Sequence, residues 1–71
     1  MQWILGKNKM LYRVSNIQFL CCISNVIQFC WQGEDTPYNE EFDTPELAQQ
    51  AYHRLILALG DKSTPSVYIL D

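Results

Sequence analysis

The apolar positions of this chain follow two rhythms. From Ile17 to Trp31 both alternating sets of positions are apolar, and from Thr44 to Leu59 apolar residues recur every third or fourth position. Ile17-Gln18-Phe19-Leu20-Cys21-Cys22-Ile23 and Val26-Ile27-Gln28-Phe29-Cys30-Trp31 flank Ser24-Asn25, a pair suited to a two-residue turn because Asn tolerates a positive φ. In a hairpin with that loop, Ile23 opposes Val26, Cys22 opposes Ile27, Cys21 opposes Gln28, Leu20 opposes Phe29, Phe19 opposes Cys30 and Gln18 opposes Trp31. One face then holds Ile17, Phe19, Cys21, Ile23, Val26, Gln28 and Cys30. The other holds Gln18, Leu20, Cys22, Ile27, Phe29 and Trp31. Neither face is polar enough to be left to water.

The second rhythm predicts a helix over 44–59. Thr44 is its N-cap, Pro45 its first residue, Glu46 an acid in the first turn and Gly60 the terminator. The stripe of Leu47, Ala48, Ala51, Tyr52, Leu55, Ile56 and Leu59 has the spacing of a face lying on a sheet, with Leu47, Ala51, Leu55 and Leu59 expected to bury. Gln49, Gln50, His53 and Arg54 are expected to meet solvent.

Shorter β-prone runs complete the pattern. Gln2 to Leu5 and Met10 to Val14 surround the turn signal Gly6-Lys7-Asn8-Lys9, Tyr38 to Phe42 reads as a charged edge strand, and Val67 to Leu70 as a last strand after the helix. The fold class predicted is α+β: one antiparallel sheet of four to six short strands with a single helix on one face. The whole chain is one small domain, residues 1–9 being dispensable if Met10 is an alternative start.

Seventy-one residues allow a core of only a few kcal/mol of net stability, about 3–5. An apolar share of 48% argues for a folded chain rather than a disordered one. The net charge of −3 is unevenly laid out, with Lys7, Lys9 and Arg13 in the first part and Glu34, Asp35, Glu40, Glu41, Asp43 and Glu46 in the middle. Three dispersed N-terminal bases in an acidic protein are poor material for binding phosphates, so nucleic acid is not expected as a partner. The twenty uncharged positions from Val14 to Gly33 contain Ser15, Asn16, Gln18, Ser24, Asn25, Gln28 and Gln32. Those amides and hydroxyls make a membrane span costly, so no membrane partner is expected. No basic start followed by a long apolar core opens the chain, which points to the cytoplasm.

Chemistry is sparse. Cys21, Cys22 and Cys30 with His53 number four potential zinc ligands, but adjacent cysteines on a strand point to opposite faces and lack the spacing of a zinc knuckle. They read as buried small hydrophobes, with a reactive thiol as the alternative. The acidic segment lacks the pattern of a calcium loop, and the three glycines stand alone at Gly6, Gly33 and Gly60, so no phosphate loop exists. No cofactor, metal or catalytic group is expected. The succession of hairpins before Phe42-Asp43-Thr44-Pro45-Glu46-Leu47-Ala48 recurs in small bacterial and phage domains of unrelated role and identifies no family.

Three functional expectations follow. The first is a non-catalytic interaction or regulatory module that binds itself or another protein through the sheet face its helix leaves bare, with Ile17, Phe19, Ile23, Phe29, Trp31 and Tyr68 as candidate interface residues. The second is an acidic inhibitor or anti-defence factor docking residues 34–46 on a basic surface. The third is a thiol-dependent enzyme using Cys21, Cys22 or Cys30.

Overall fold

The structure is a computed structural model that describes residues 2–61, 63 and 65–70. The fold is α+β, with its strands divided between two sheets. Strands β1 (Trp3–Leu5), β2 (Leu11–Arg13) and β6 (Val67–Ile69) form a short sheet in the order β2-β1-β6. Strands β3 (Ile17–Ile23), β4 (Val26–Trp31) and β5 (Tyr38–Glu41) form a longer one in the order β3-β4-β5. The helix α1 (Pro45–Leu59) lies between β5 and β6 in the chain.

The division begins at Val14–Asn16, where a single 3₁₀ turn carries the chain out of β2 and into β3. That turn was not evident from the sequence, which read one continuous sheet. The β1–β2 hairpin is closed by the bonds from Gly6 N–H to the Met10 carbonyl at 2.7 Å and from Lys9 N–H to the Gly6 carbonyl at 3.0 Å, with Lys9 at a φ of 67°. β6 returns after the helix to pair with β1 in parallel, whereas the sequence reading expected an antiparallel sheet throughout. β1 is therefore the middle strand of the short sheet, and its Ile4 is fully buried. Within the segment 1–9, Trp3–Leu5 is thus the strand that joins β2 to β6.

In the β3–β4 hairpin the pairs from Ile23 with Val26 to Phe19 with Cys30 stand in the expected register. Beyond them the register shifts, so that Ile17, not Gln18, opposes Trp31. The extra residue of this bulge turns Ile17 to the same side as Trp31 and reverses the face assigned to it from simple alternation. Helix α1 starts as predicted: the Thr44 hydroxyl accepts a bond from Leu47 N–H at 3.2 Å, and Pro45 follows. The buried helix residues are Ala48, Ala51 and Leu55, while Leu47 and Leu59 remain exposed. Small side chains at 48 and 51 let the helix approach the sheet closely, which leaves the larger flanking leucines beyond its line of contact.

The molecule has two layers. One is the β3-β4-β5 sheet; the other is made of α1 and the short sheet side by side. Both cover the same, inner face of the longer sheet. Ile4, Tyr12, Ile27, Phe29, Phe42, Ala48, Ala51, Leu55 and Leu70 form the buried core. The Tyr12 ring stacks on Phe29 with centroids 4.6 Å apart and on Trp31 at 5.4 Å, so the short sheet shields the part of the hairpin that the helix does not reach. Each fully buried Ile, Leu or Phe here contributes roughly 1.5–3 kcal/mol from removal of its surface from water.

Candidate functional site

The inner face of the longer sheet carries Leu20, Cys22, Ile27, Phe29 and Trp31, joined through the bulge by Ile17 and from β5 by Tyr38 and Glu40. Its outer face carries Phe19, Cys21 and Ile23 from β3, Val26, Gln28 and Cys30 from β4, and Asn39 and Glu41 from β5. Among the described residues, the helix and the short sheet pack against the inner face and leave this outer face open. Phe19 is 54% exposed and Ile23 57% exposed, with Cys21, Val26 and Cys30 half-buried beside them.

The candidate interface residues therefore separate. Phe19 and Ile23 lie together on the outer face. Phe29 is wholly buried under Tyr12 and is corrected from surface to core. Ile17, Trp31 and Tyr68 are half-buried and pack against that core, Ile17 because of the bulge and Trp31 because its ring stacks on Tyr12. Alternation along β3 and β4 explains the split: residues on one side of a strand bury only if something is placed over that side.

The short sheet has a second apolar exterior that the sequence reading did not single out. Trp3, Leu5, Leu11, Val67 and Ile69 share its outer face with Arg13, whose guanidinium lies 5.4 Å from the Trp3 ring centroid. Leu11 and Ile69 are more than half exposed. The signal was present in the alternation of these residues with Ile4, Tyr12 and Tyr68, but runs of three residues are too short to show which side turns inward.

Glu40 was read as part of a solvated acidic edge. Its carboxylate is instead buried, 2% exposed, where β5 meets the β1–β2 turn. The Tyr12 hydroxyl donates to Oε2 at 2.5 Å and Lys7 N–H donates to Oε1 at 2.6 Å. A buried carboxylate without such donors would be strongly unfavourable, so these bonds fix the short sheet against β5. Burial foremost, then the bond to Glu40 and its nearby charge, push the Tyr12 hydroxyl far above its ordinary pKa of 10.0. Gly6 makes this approach possible: a Cβ there would stand 2.8 Å from the Glu40 carboxylate. Lys7 closes the corner, its Nζ donating to the Glu41 carbonyl at 2.9 Å and lying 4.2 Å from the centre of the Phe42 ring.

The cysteines are dispersed and free. Cys21 and Cys30 lie on the outer face and Cys22 on the inner, as adjacent strand positions require. The Cys21 thiol donates to Gln28 Oε1 at 3.7 Å, and burial, with Cys21 beside it, raises the pKa of the Cys22 thiol, which disfavours a thiolate there. His53 is exposed on the polar side of α1 with Gln49, Gln50 and Arg54. Among the described residues no cluster of three or more His, Cys, Asp or Glu is placed to hold a metal, and no helix is long and apolar enough to cross a membrane. Comparison with known proteins adds no relative: no family model matches the chain, and no curated protein or solved structure matches it.

Proposed function

We propose that this protein is a non-catalytic interaction module that binds a second copy of itself through the outer face of the β3-β4-β5 sheet. The observation that carries the reading is the exposure of Phe19 and Ile23 on a face whose other hairpin residues are Cys21, Val26, Cys30 and a single amide, Gln28. Apolar clusters of this kind on a small protein mark contact surfaces, and a twofold axis buries the same cluster twice. The sheet's edges favour a like partner. β3, at one edge, is seven residues without charge, Pro or Gly, while β5, at the other, carries Glu40 and Glu41. The exterior of the short sheet is the weaker contender, since its strands are three residues long and Arg13 lies across Trp3.

A three-stranded face six residues long spans roughly 300 Å² in projection, well below the about 800 Å² per partner of a standard interface. The association is therefore weak and reversible, as suits a regulatory contact. An acidic docking strip over 34–46 has less support, because Glu40 is withdrawn into the interior. The melting temperature measured across a wide range of protein concentration tests the reading: it rises with concentration if folded protomers associate and is constant if they do not.

A further inference from the structure

The longer sheet ends in β3 on one side and in β5 on the other, and on each edge a side chain from another element holds a backbone carbonyl. Ser24-Asn25 is a two-residue loop, so Ile23 and Val26, which flank it, exchange both of their backbone bonds. Alternation from that pair aims the N–H and C=O groups of Phe19 and Cys21 at β4, and those of Leu20 and Cys22 at the open side. Carried across β4, the same alternation aims the C=O of Glu41, opposite Val26, out of the β5 edge.

These outward carbonyls are where the N–H groups of an added strand would bond. The Tyr52 hydroxyl, from α1, donates to the Leu20 carbonyl at 3.3 Å. The Lys7 ammonium, from the β1–β2 turn, donates to the Glu41 carbonyl at 2.9 Å. The two edges differ in what else defends them. β5 carries the charge of Glu41 beside its occupied carbonyl, which discourages another strand by itself. β3 is seven residues without charge, Pro or Gly, and is flanked by a groove of about 260 Å³ whose lining includes Val14, Ile17, Leu20 and Leu59. A strand added to β3 would gain backbone bonds at Leu20 and Cys22 and cover that groove. At this edge the deterrent is Tyr52.

We propose that Tyr52 is an autoinhibitory contact: its hydroxyl occupies the Leu20 carbonyl and keeps β3 from pairing, antiparallel, with β3 of a second copy. A second copy is the fitting occupant because both edges would be uncharged, and because twofold pairing is self-limiting. The joined sheet would end at each side in β5 and its Glu41. Association through the outer face uses the side chains of Phe19 and Ile23 and leaves the backbone groups of Leu20 and Cys22 untouched, so the two readings stand or fall separately.

The test is backbone amide exchange followed by NMR in the full chain, from tens of micromolar to millimolar, for the natural chain and for Tyr52→Phe. The substitution keeps the ring and its packing and removes the donor. In the natural chain the Leu20 and Cys22 amides should exchange at rates that do not change with concentration. In Tyr52→Phe both should slow as concentration rises, each lost competing bond tightening the pairing by roughly two- to tenfold. The Ile27 amide, in the core, reports whether the variant keeps its fold. Slowing at Leu20 and Cys22 already in the natural chain, no slowing in Tyr52→Phe, or faster exchange at Ile27 without slowing at the edge, the mark of a purely structural tyrosine, would each overturn the proposal.

Discussion

The inner and outer faces of the β3–β4 hairpin are built from similar residues, yet one is the centre of the core and the other meets solvent. Leu20, Cys22, Ile27, Phe29 and Trp31 are covered by α1 and by Tyr12, whereas Phe19, Cys21, Ile23, Val26 and Cys30 share a face over which no element of the described residues lies. The hairpin does not decide between them; the neighbouring strand does. β5 offers the inner side Tyr38, an aromatic ring, and Glu40, whose carboxylate is met by Tyr12 and Lys7. It offers the outer side Asn39 and Glu41, both exposed. A face can be apolar enough to bury and still remain outside because its neighbours keep their water.

The comparison breaks most completely if the cover of the inner face is taken away. Deleting residues 1–9 removes the middle strand of the short sheet together with Ile4, and the stability available to so small a domain, about 3–5 kcal/mol, does not survive that loss. The expected outcome is no cooperative melting by circular dichroism. A cooperative transition near that of the full chain would show that the helix alone covers the inner face.

Next in size is the contrast between two phenylalanines. Phe29→Ala should cost about 3–5 kcal/mol in urea unfolding, because the side chain is fully buried under Tyr12. Phe19→Ala, on the opposite face, should change protomer stability by about 0.5 kcal/mol or less when measured dilute. Similar costs for both would mean that the faces are not distinguished as described.

A smaller effect concerns the tie that holds the inner cover in place. Tyr12→Phe keeps the ring stack and removes the donor to Glu40, at a cost of about 1–3 kcal/mol. Tyr12 also predicts a pH dependence. Its pKa is higher in the folded than in the unfolded chain, so the folded state holds the proton more tightly. The stability it contributes is complete below pH 10, the unfolded value, and is lost as the pH climbs above it. Denaturation between pH 9 and 11 should show a steeper loss in the natural chain than in Tyr12→Phe; equal slopes would remove Tyr12 from the account.

The helix and the paired strands of the central hairpin were legible because their signals are local: Thr44 and Pro45 cap a periodic run, and Ser24-Asn25 separates two apolar runs of seven and six residues. Three things were not. The bulge at Gln18 that turns Ile17 inward depends on where the chain arrives from the 3₁₀ turn, which has no signature of its own. The parallel return of β6 to β1 is a contact between distant residues. The burial of Glu40 follows from Gly6 standing opposite, a closeness that no spacing reveals. The same gap divided the candidate interface: Phe19 and Ile23 stayed on the surface, while Phe29, equally apolar in sequence, went to the core.

The most direct test of the bare face is molecular mass by light scattering, from tens of micromolar to millimolar, for the natural chain and for Phe19→Lys with Ile23→Lys. Leu11→Lys, on the short sheet's exterior, serves as the control. A mass that rises toward twice the protomer in the natural chain and in Leu11→Lys, but stays at one protomer in the double variant, is the predicted result. A natural chain that remains a single protomer throughout, or a double variant that associates as the natural chain does, would contradict the claim that this face is completed by a second copy.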